Sequence, residues 1–252
     1  MKVSIITATN REISERALRS IENQTNKNFE WIVVQDGSFP IDLPEQHKFV
    51  TLWNNYGPSV ARNIGFQVSD GDIITYLDSD DELNPNRVMH LLWMWENYPF
   101  VELLFSGYHM VGEGWESTFS HIKLMNGRTD ASEYVKWLNT QNISIPLGVA
   151  HTRKSFVESG GFQRGIVCGE DGILWRRMYE KLDPSHIMFD DSVAGVYHIN
   201  QSGQSRLQPR FEMGGFAFDG SRRDNGKYLD EDWFTTFNSV NLFEERDWTC
   251  IG

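Results

Sequence analysis

Asp78, Ser79, Asp80 and Asp81 follow directly on the apolar run Ile73-Ile74-Thr75-Tyr76-Leu77, a carboxylate cluster at the carboxyl end of an expected strand. In an open α/β sheet, ligands bind at that end. Carboxylate oxygens suit Mg²⁺ or Mn²⁺, which take one or two of them and complete their shells with water and substrate phosphate. A nucleoside diphosphate fits that chemistry; an acidic turn made of ordinary turn residues is the alternative.

Four further residues could act at the same place. Asp36, in Gln35-Asp36-Gly37-Ser38, ends the second expected strand as Asp78 ends the fourth. An ionised carboxylate only accepts hydrogen bonds, so Asp36 suits the ring N–H of a uracil and Asp78 suits ribose hydroxyls. A turn or helix-cap role is the alternative for Asp36. In the segment Gly57 to Gly65, Ser59 is an expected helix cap and Arg62 lies on the first turns, offering a fixed positive charge to phosphate or base. A surface salt bridge would use the same residue. Asp171 follows Gly169-Glu170 at an expected helix start, where its ionised form is favoured, and is the candidate general base, with capping as its alternative. His198, after an apolar strand, could ligate the same cation as Asp80 or be a hydrogen-bonded structural residue. The other His residues show no zinc-ligand spacing such as H-E-x-x-H.

The elements that must position these residues read as alternating strands and helices. Val3 to Thr7 and Trp31 to Val34 are β-branched-rich strands. Between them, Ser14 to Asn23 carries Ala17, Leu18 and Ile21 at helical spacing, completing a βαβ unit with parallel pairing. Phe49 to Trp53, Ser59 to Val68 and Asp72 to Leu77 repeat the strand-helix-strand pattern. Asn84 is the expected cap of a helix beginning at Pro85 and ending near Tyr98. A strand is expected from Phe100 to about Met110, followed by a variable insertion over 111–150. Helices at Lys154 to Ser159 and Glu170 to Lys181 precede two short strands, Ile187 to Phe189 and Val193 to Tyr197.

At 252 residues and 40% hydrophobic content, the chain is long enough for one sizeable core or one domain with an appendage. Its formal net charge of -12 opposes nucleic acid or anionic lipid as unaided partners, and an anionic substrate would need a local cation. Only Cys168 and Cys250 occur, far apart, which indicates neither a thiolate zinc site nor a disulfide framework. With no signal-peptide pattern and no run of roughly 18 apolar residues, a soluble chain in a reducing cytoplasm is the expectation. Residues 1–206 read as one domain, and 207–252 as an aromatic-rich extension that would dock on the domain or on a partner subunit.

Taken in order, these segments resemble the inverting glycosyltransferases of family 2, which have the GT-A fold. The resemblance rests on Val3 to Asn10, Gln35-Asp36-Gly37-Ser38, Gly57 to Gly65, Leu77 to Asp81, Gly160-Gly161-Phe162, Glu170-Asp171 and His198 with the Ser-rich stretch after it. It implies an α/β fold of a mostly parallel, doubly wound sheet, with a nucleotide-sugar site at the strand carboxyl ends. Thr7, Ala8 and Asp36 would line the nucleoside pocket, Arg62 would approach base or diphosphate, and Asp78 would face ribose. Asp80 would be the direct ligand of Mn²⁺ or Mg²⁺, His198 would sit near the metal and diphosphate, and Asp171 would be the base. Gln35 departs from the pattern, since many relatives carry an Asp there. The implied donor is UDP-linked, the acceptor a glycan or lipid-linked saccharide, and the setting bacterial surface polysaccharide assembly. Peripheral membrane association through the acceptor and homo-oligomer formation stay open. Two rivals also stay open: a sugar-1-phosphate nucleotidyltransferase, for which Thr7 to Arg11 supplies little of the usual basic Gly-rich loop, and a non-catalytic sugar-binding module suggested by nine Trp.

Overall fold

The computed structural model describes residues 1–37, 47–120, 144–166 and 169–199, together with the backbone of 248–250. Its first half is built from strands β1 (Val3–Thr9), β2 (Phe29–Asp36), β3 (Lys48–Leu52) and β4 (Ile73–Tyr76), with helices α1 (Glu15–Glu22) and α2 (Pro58–Val68) between them. The spatial order is β3-β2-β1-β4, all parallel. The chain runs outward from β1 to β3 and returns through α2 to the other side of β1. Right-handed crossovers therefore place α1 and α2 on opposite faces, and the order reverses at the gap between β1 and β4.

The alternation of side chains along the strands divides the interior in two. Ile6, Ile32, Val34 and Tyr76 pack with Val60, Ile64, Phe162, Leu174 and Trp175 on one face. Ile5, Trp31, Val33 and Leu77 pack with Ala17, Ile21, Val88 and Leu91 on the other. Burying each such side chain contributes roughly 1.5–3 kcal/mol, which holds helices to both faces. Gly65 lets α2 lie close on β1, because a Cβ there would stand 2.5 Å from Ile6 Cγ2.

The second half adds β5 (Glu82–Leu83), α3 (Arg87–Asn97), β6 (Leu103–Gly112), β7 (Trp115–Phe119), β8 (Val149–Thr152), α4 (Arg153–Glu158), α5 (Glu170–Lys181), β9 (Ile187–His198) and β10 (Trp248–Cys250). The sheet continues past β4 as β8-β6-β9-β5; β8 is antiparallel to both its neighbours, and β6 and β9 are parallel. At the opposite edge, the β10 backbone pairs antiparallel with β3.

Beyond shifts of a few residues at element ends, four features differ from the sequence expectation. Helix α2 begins at Pro58 with Gly57 as its cap at φ 89, and Ser59 lies buried inside the helix. The entry to the helix is held from the end of β2: Asp36 accepts the N–H groups of Tyr56 and Gly57 at 2.7 and 2.8 Å. Helix α3 begins at Arg87 rather than Pro85, because the Asn84 N–H donates to the Ala194 carbonyl and holds that residue against β9. Strand β9 is continuous through Asp190-Asp191-Ser192, with register shifts where it passes Gly107. Within the expected insertion, β7 forms a hairpin with β6, and β8 is a buried central strand. Residues 121–143 of that insertion, Ser38, Cys168, and all but the short β10 backbone of 207–252 lie outside the described residues.

Candidate functional site

The reversal of strand order between β1 and β4 sets where the candidate residues meet. Thr9 pairs with Gln35, so Asp36 stands one residue beyond on β2; Ile6 pairs with Tyr76, so Leu77 and Asp78 emerge beside Thr7 and Ala8. Thr7 is buried, and its hydroxyl accepts from the Trp31 indole at 2.9 Å, while Ala8 is partly buried against the opposite face. Burial of Asp36 raises its pKa, and the N–H bonds from Tyr56 and Gly57 oppose that rise.

Arg62 is the connector. Its Nη2 donates to Asp78 Oδ1 at 3.0 Å and its Nη1 to Glu170 Oε1 at 2.5 Å, so one guanidinium joins the turn after β4 to the start of α5. The guanidinium also lies 5.4 Å from the Phe162 ring centroid. Burial acts to lower the Arg62 pKa, but the charges of Asp78, Glu170 and Asp171 outweigh it and hold the pKa above the ordinary value. Arg62 is thus a buried ion-pair centre rather than a surface salt bridge.

Asp171 is buried beside this centre, with Oδ1 accepting the Gly172 N–H at 2.8 Å. Its charge reaches Arg62 and also the Tyr108 hydroxyl, whose pKa is raised by burial first and then by Tyr197 and Asp171. The α5 cap is Gly169 in the left-handed region at φ 82, with no side-chain hydrogen bond, which leaves the Glu170 side chain to Arg62. In the sequence Glu170 stands out only as the neighbour of Asp171 in the Glu170-Asp171 motif.

His198 reaches the acidic turn from the end of β9. Its backbone N–H donates to Asp81 Oδ1 at 2.9 Å, and its Nε2 lies 2.6 Å from Glu82 Oε1. The Glu82 carboxylate accepts, so Nε2 carries a proton, and in the neutral ring the Nδ1 lone pair is then left for a ligand. Ligating histidines commonly give their other N–H to a carboxylate in this way. Burial pushes the Asp81 carboxyl well above its usual range, Asp78 and Asp80 add to the rise, and the His198 N–H and Arg11 oppose it. Asp80 Oδ2 accepts from Arg11 Nη2 at 2.9 Å, so a cation already occupies that carboxylate oxygen. Among the described residues, no group of three or more His, Cys, Asp or Glu is placed to hold a metal ion.

The structure therefore brings Asp78, Arg62, Glu170 and Asp171 into one cluster, and Asp80, Asp81, Glu82, His198 and Arg11 into an adjoining one on the same turn. Asp36 stands beyond β1, at the entry to α2. Arg11, Glu82 and Glu170 were not among the sequence-derived candidates. Each is recognisable by the ion pair it makes across the fold, and nothing in its local sequence signals that pair. A separate cavity of about 430 Å³, lined by Arg87, His90, Trp93 and Ser192 among others, opens between α3 and β9 and contains none of these carboxylates. No helix among the described residues is long and apolar enough to cross a membrane.

Residues 4–145 match the family model described as Glycosyl transferase family 2. An uncharacterized glycosyltransferase of Rickettsia bellii (strain RML369-C) is 33% identical over 186 residues, covering 69% of this chain and 26% of the relative. Another, from Haemophilus influenzae, is 34% identical over 175 residues, covering 66% of this chain and 58% of the relative. Against two of the Rickettsia relatives the chain spans only 26% and 29% of their length. S. aureus TarS in complex with UDP-GlcNAc superposes with a TM-score of 0.65 at 20% identity, covering 83% of this chain and 61% of that one. The mannosyltransferase PcManGT from Pyrobaculum calidifontis, in complex with GDP-Man and Mn2+, gives 0.59 at 16% identity, covering 86% and 62%. At such identities the likeness establishes the fold, GT-A, and nothing about substrates.

Proposed function

The chain belongs to glycosyl transferase family 2, and on that premise we propose that it moves a sugar from a nucleotide-sugar donor to a hydroxyl of a glycan or lipid-linked saccharide, inverting the anomeric configuration. The observation that carries this reading is the meeting of Asp78 and Glu170 on the single guanidinium of Arg62, with Asp171 one residue further on. It joins the nucleotide edge of the parallel sheet to a buried carboxylate from the other half of the chain.

In this reading Asp36 and Asp78 accept from base and ribose, the β1 end at Thr7 and Ala8 borders the nucleoside, and Arg62 holds Asp78 and Glu170 together across the fold. Asp171 takes the proton of the acceptor hydroxyl as its oxygen bonds to the anomeric carbon and the bond to the diphosphate breaks. The donor set at the turn fits a hard divalent cation: an Asp80 carboxylate that already attracts a guanidinium, and a His198 ring whose Nε2–H is directed at Glu82. Asp80 and His198 would hold Mn²⁺ or Mg²⁺, which when bound would neutralise charge on the leaving diphosphate. PcManGT with GDP-Man and Mn2+ and TarS with UDP-GlcNAc support this donor class, of which a UDP-linked sugar is our choice. Bacterial surface polysaccharide assembly in the cytoplasm is the proposed setting, with any membrane contact made through a lipid-linked acceptor.

The test is a donor panel of UDP-sugars and GDP-mannose assayed for the released product with Asp171→Asn beside the parent. Release of nucleoside diphosphate, with transfer lowered roughly 100-fold or more and donor binding kept in the variant, is expected of a general base. Pyrophosphate release would instead point to nucleotidyl transfer, and unchanged transfer by the variant would remove Asp171 from its role.

A further inference from the structure

Two arginines touch the carboxylates of the site, and they differ in freedom. Arg62 has both terminal nitrogens engaged and a side chain only 7% exposed. Arg11 has a side chain 51% exposed, a single ion pair to Asp80 Oδ2, and a long 3.4 Å contact from Nε to Ser79 Oγ. The base of Arg11 is nevertheless fixed. Thr9 Oγ1 accepts the Arg11 N–H at 3.2 Å and donates to the Arg11 carbonyl at 2.8 Å. The Ser14 N–H donates to the Ser79 carbonyl at 2.8 Å, which holds the whole β1–α1 loop against the acidic turn. A flexible cationic arm is thereby anchored at the rim of the site with its head on the carboxylate proposed to bind metal.

Resting on the nucleotide-sugar reading above, we propose that Arg11 is an exchangeable counter-ion: it neutralises Asp80 until a divalent cation takes that carboxylate, and its guanidinium then moves to the donor diphosphate. A guanidinium and a divalent cation on one carboxylate repel each other, so arrival of the second loosens the first. The incoming diphosphate supplies the alternative partner, since the planar fork of arginine matches phosphate oxygens well. Loss of one ion pair is then offset by gain of another, and a turn that carries Asp78, Asp80 and Asp81 retains a nearby cation in both states. Arg62 is not suited to this exchange, because leaving its place would strand Glu170 and Asp78 in a largely buried cluster.

The experiment uses the full chain, Arg11→Ala and Arg11→Lys. Mn²⁺ binding without nucleotide is read from the electron paramagnetic resonance of the free ion, and binding of UDP, with GDP in parallel, is read by calorimetry at saturating Mn²⁺. Arg11→Ala should bind Mn²⁺ about 2- to 5-fold more tightly, the factor an exposed ion pair is worth. It should bind the nucleotide about 10-fold or more weakly, as expected for loss of a charge-assisted hydrogen bond. Arg11→Lys should fall between parent and Arg11→Ala in both. Equal Mn²⁺ affinity in parent and Arg11→Ala overturns the exchange, and so does an unchanged nucleotide affinity. A parent that binds neither Mn²⁺ nor either nucleotide would bring down the nucleotide-sugar reading itself, whereas a parent that binds both and is matched by Arg11→Ala would bring down only the role of Arg11.

Discussion

Arg62 and Glu170, 108 positions apart in the chain, are joined by a 2.5 Å hydrogen bond from Nη1 to Oε1 in the buried seam between α2 and α5. Removing one partner of such a pair leaves uncompensated charge inside the protein. Arg62→Ala should destabilise the fold by about 3–5 kcal/mol, most of it from the buried Glu170 side, because Asp78 is more exposed and better screened. Urea unfolding monitored by tryptophan fluorescence measures this. A loss below about 1 kcal/mol would mean that solvent already screens the cluster.

The two proposed cation ligands should differ in weight. Asp80→Ala removes the carboxylate and should abolish metal-dependent UDP binding. His198→Ala should weaken it less, because the backbone N–H of residue 198 would still donate to Asp81. Calorimetry with UDP and Mn²⁺ distinguishes them; wild-type affinity in Asp80→Ala, or identical metal dependence in His198→Ala and the parent, would contradict the assignment.

Gly195 lies on β9 opposite Leu83, and a Cβ there would press on the Glu82 backbone carbonyl. Gly195→Ala should therefore pry β5 from β9 and displace Glu82 from His198. We expect a stability loss of about 1–3 kcal/mol, typical of overpacking, together with weakened metal-dependent nucleotide binding. If stability falls while binding is untouched, the β5–β9 pairing does not position the site.

His151 sets a pH dependence. Its Nδ1 lies 3.0 Å from the Thr152 carbonyl and so carries the proton, while its Nε2 accepts from the Tyr76 hydroxyl at 2.8 Å. Burial lowers its pKa from 6.5 to about 4, the Thr152 bond opposing and the Arg153 charge assisting. Between those values the unfolded chain binds more protons than the folded one, so this contribution is complete above pH 6.5 and is lost as pH falls toward 4. By pH 5 the loss should be about 2 kcal/mol. Glu30, lowered to about 2 despite the opposing effect of burial by its bonds from Ser4, Lys48 and Asp70, acts in a separate and more acidic window, from 4.5 downward. Nuclear magnetic resonance of the His151 ring nitrogens across pH 4–7 is the direct measurement; protonation near pH 6.5 would show that the ring is not held neutral.

How much of this was legible beforehand differs from element to element. Helix α5 was read with both its ends, from Glu170 to Lys181, because apolar spacing and a preceding glycine are local signals. Helix α3 was not, since its start is set by Asn84 bonding to Ala194, more than a hundred residues away. The same reason moved the cap of α2 from Ser59 to Gly57, held by Asp36, and kept β9 unbroken where Asp190 pairs with His90 and Asp191 accepts from Ser120.

By itself the sequence determined the alternation of strands and helices, the parallel pairing of the first half, and the carboxylates that end its strands, since residue type and period act over a few positions. Tertiary structure alone decided which charges meet. Arg62 could not be assigned to Asp78 and Glu170, Arg11 to Asp80, or His198 to Asp81 and Glu82, because each pairing depends on burial and on sheet order that reverses at β1. Electrostatic partners are chosen by distance through the folded interior, and separation along the chain carries no record of it.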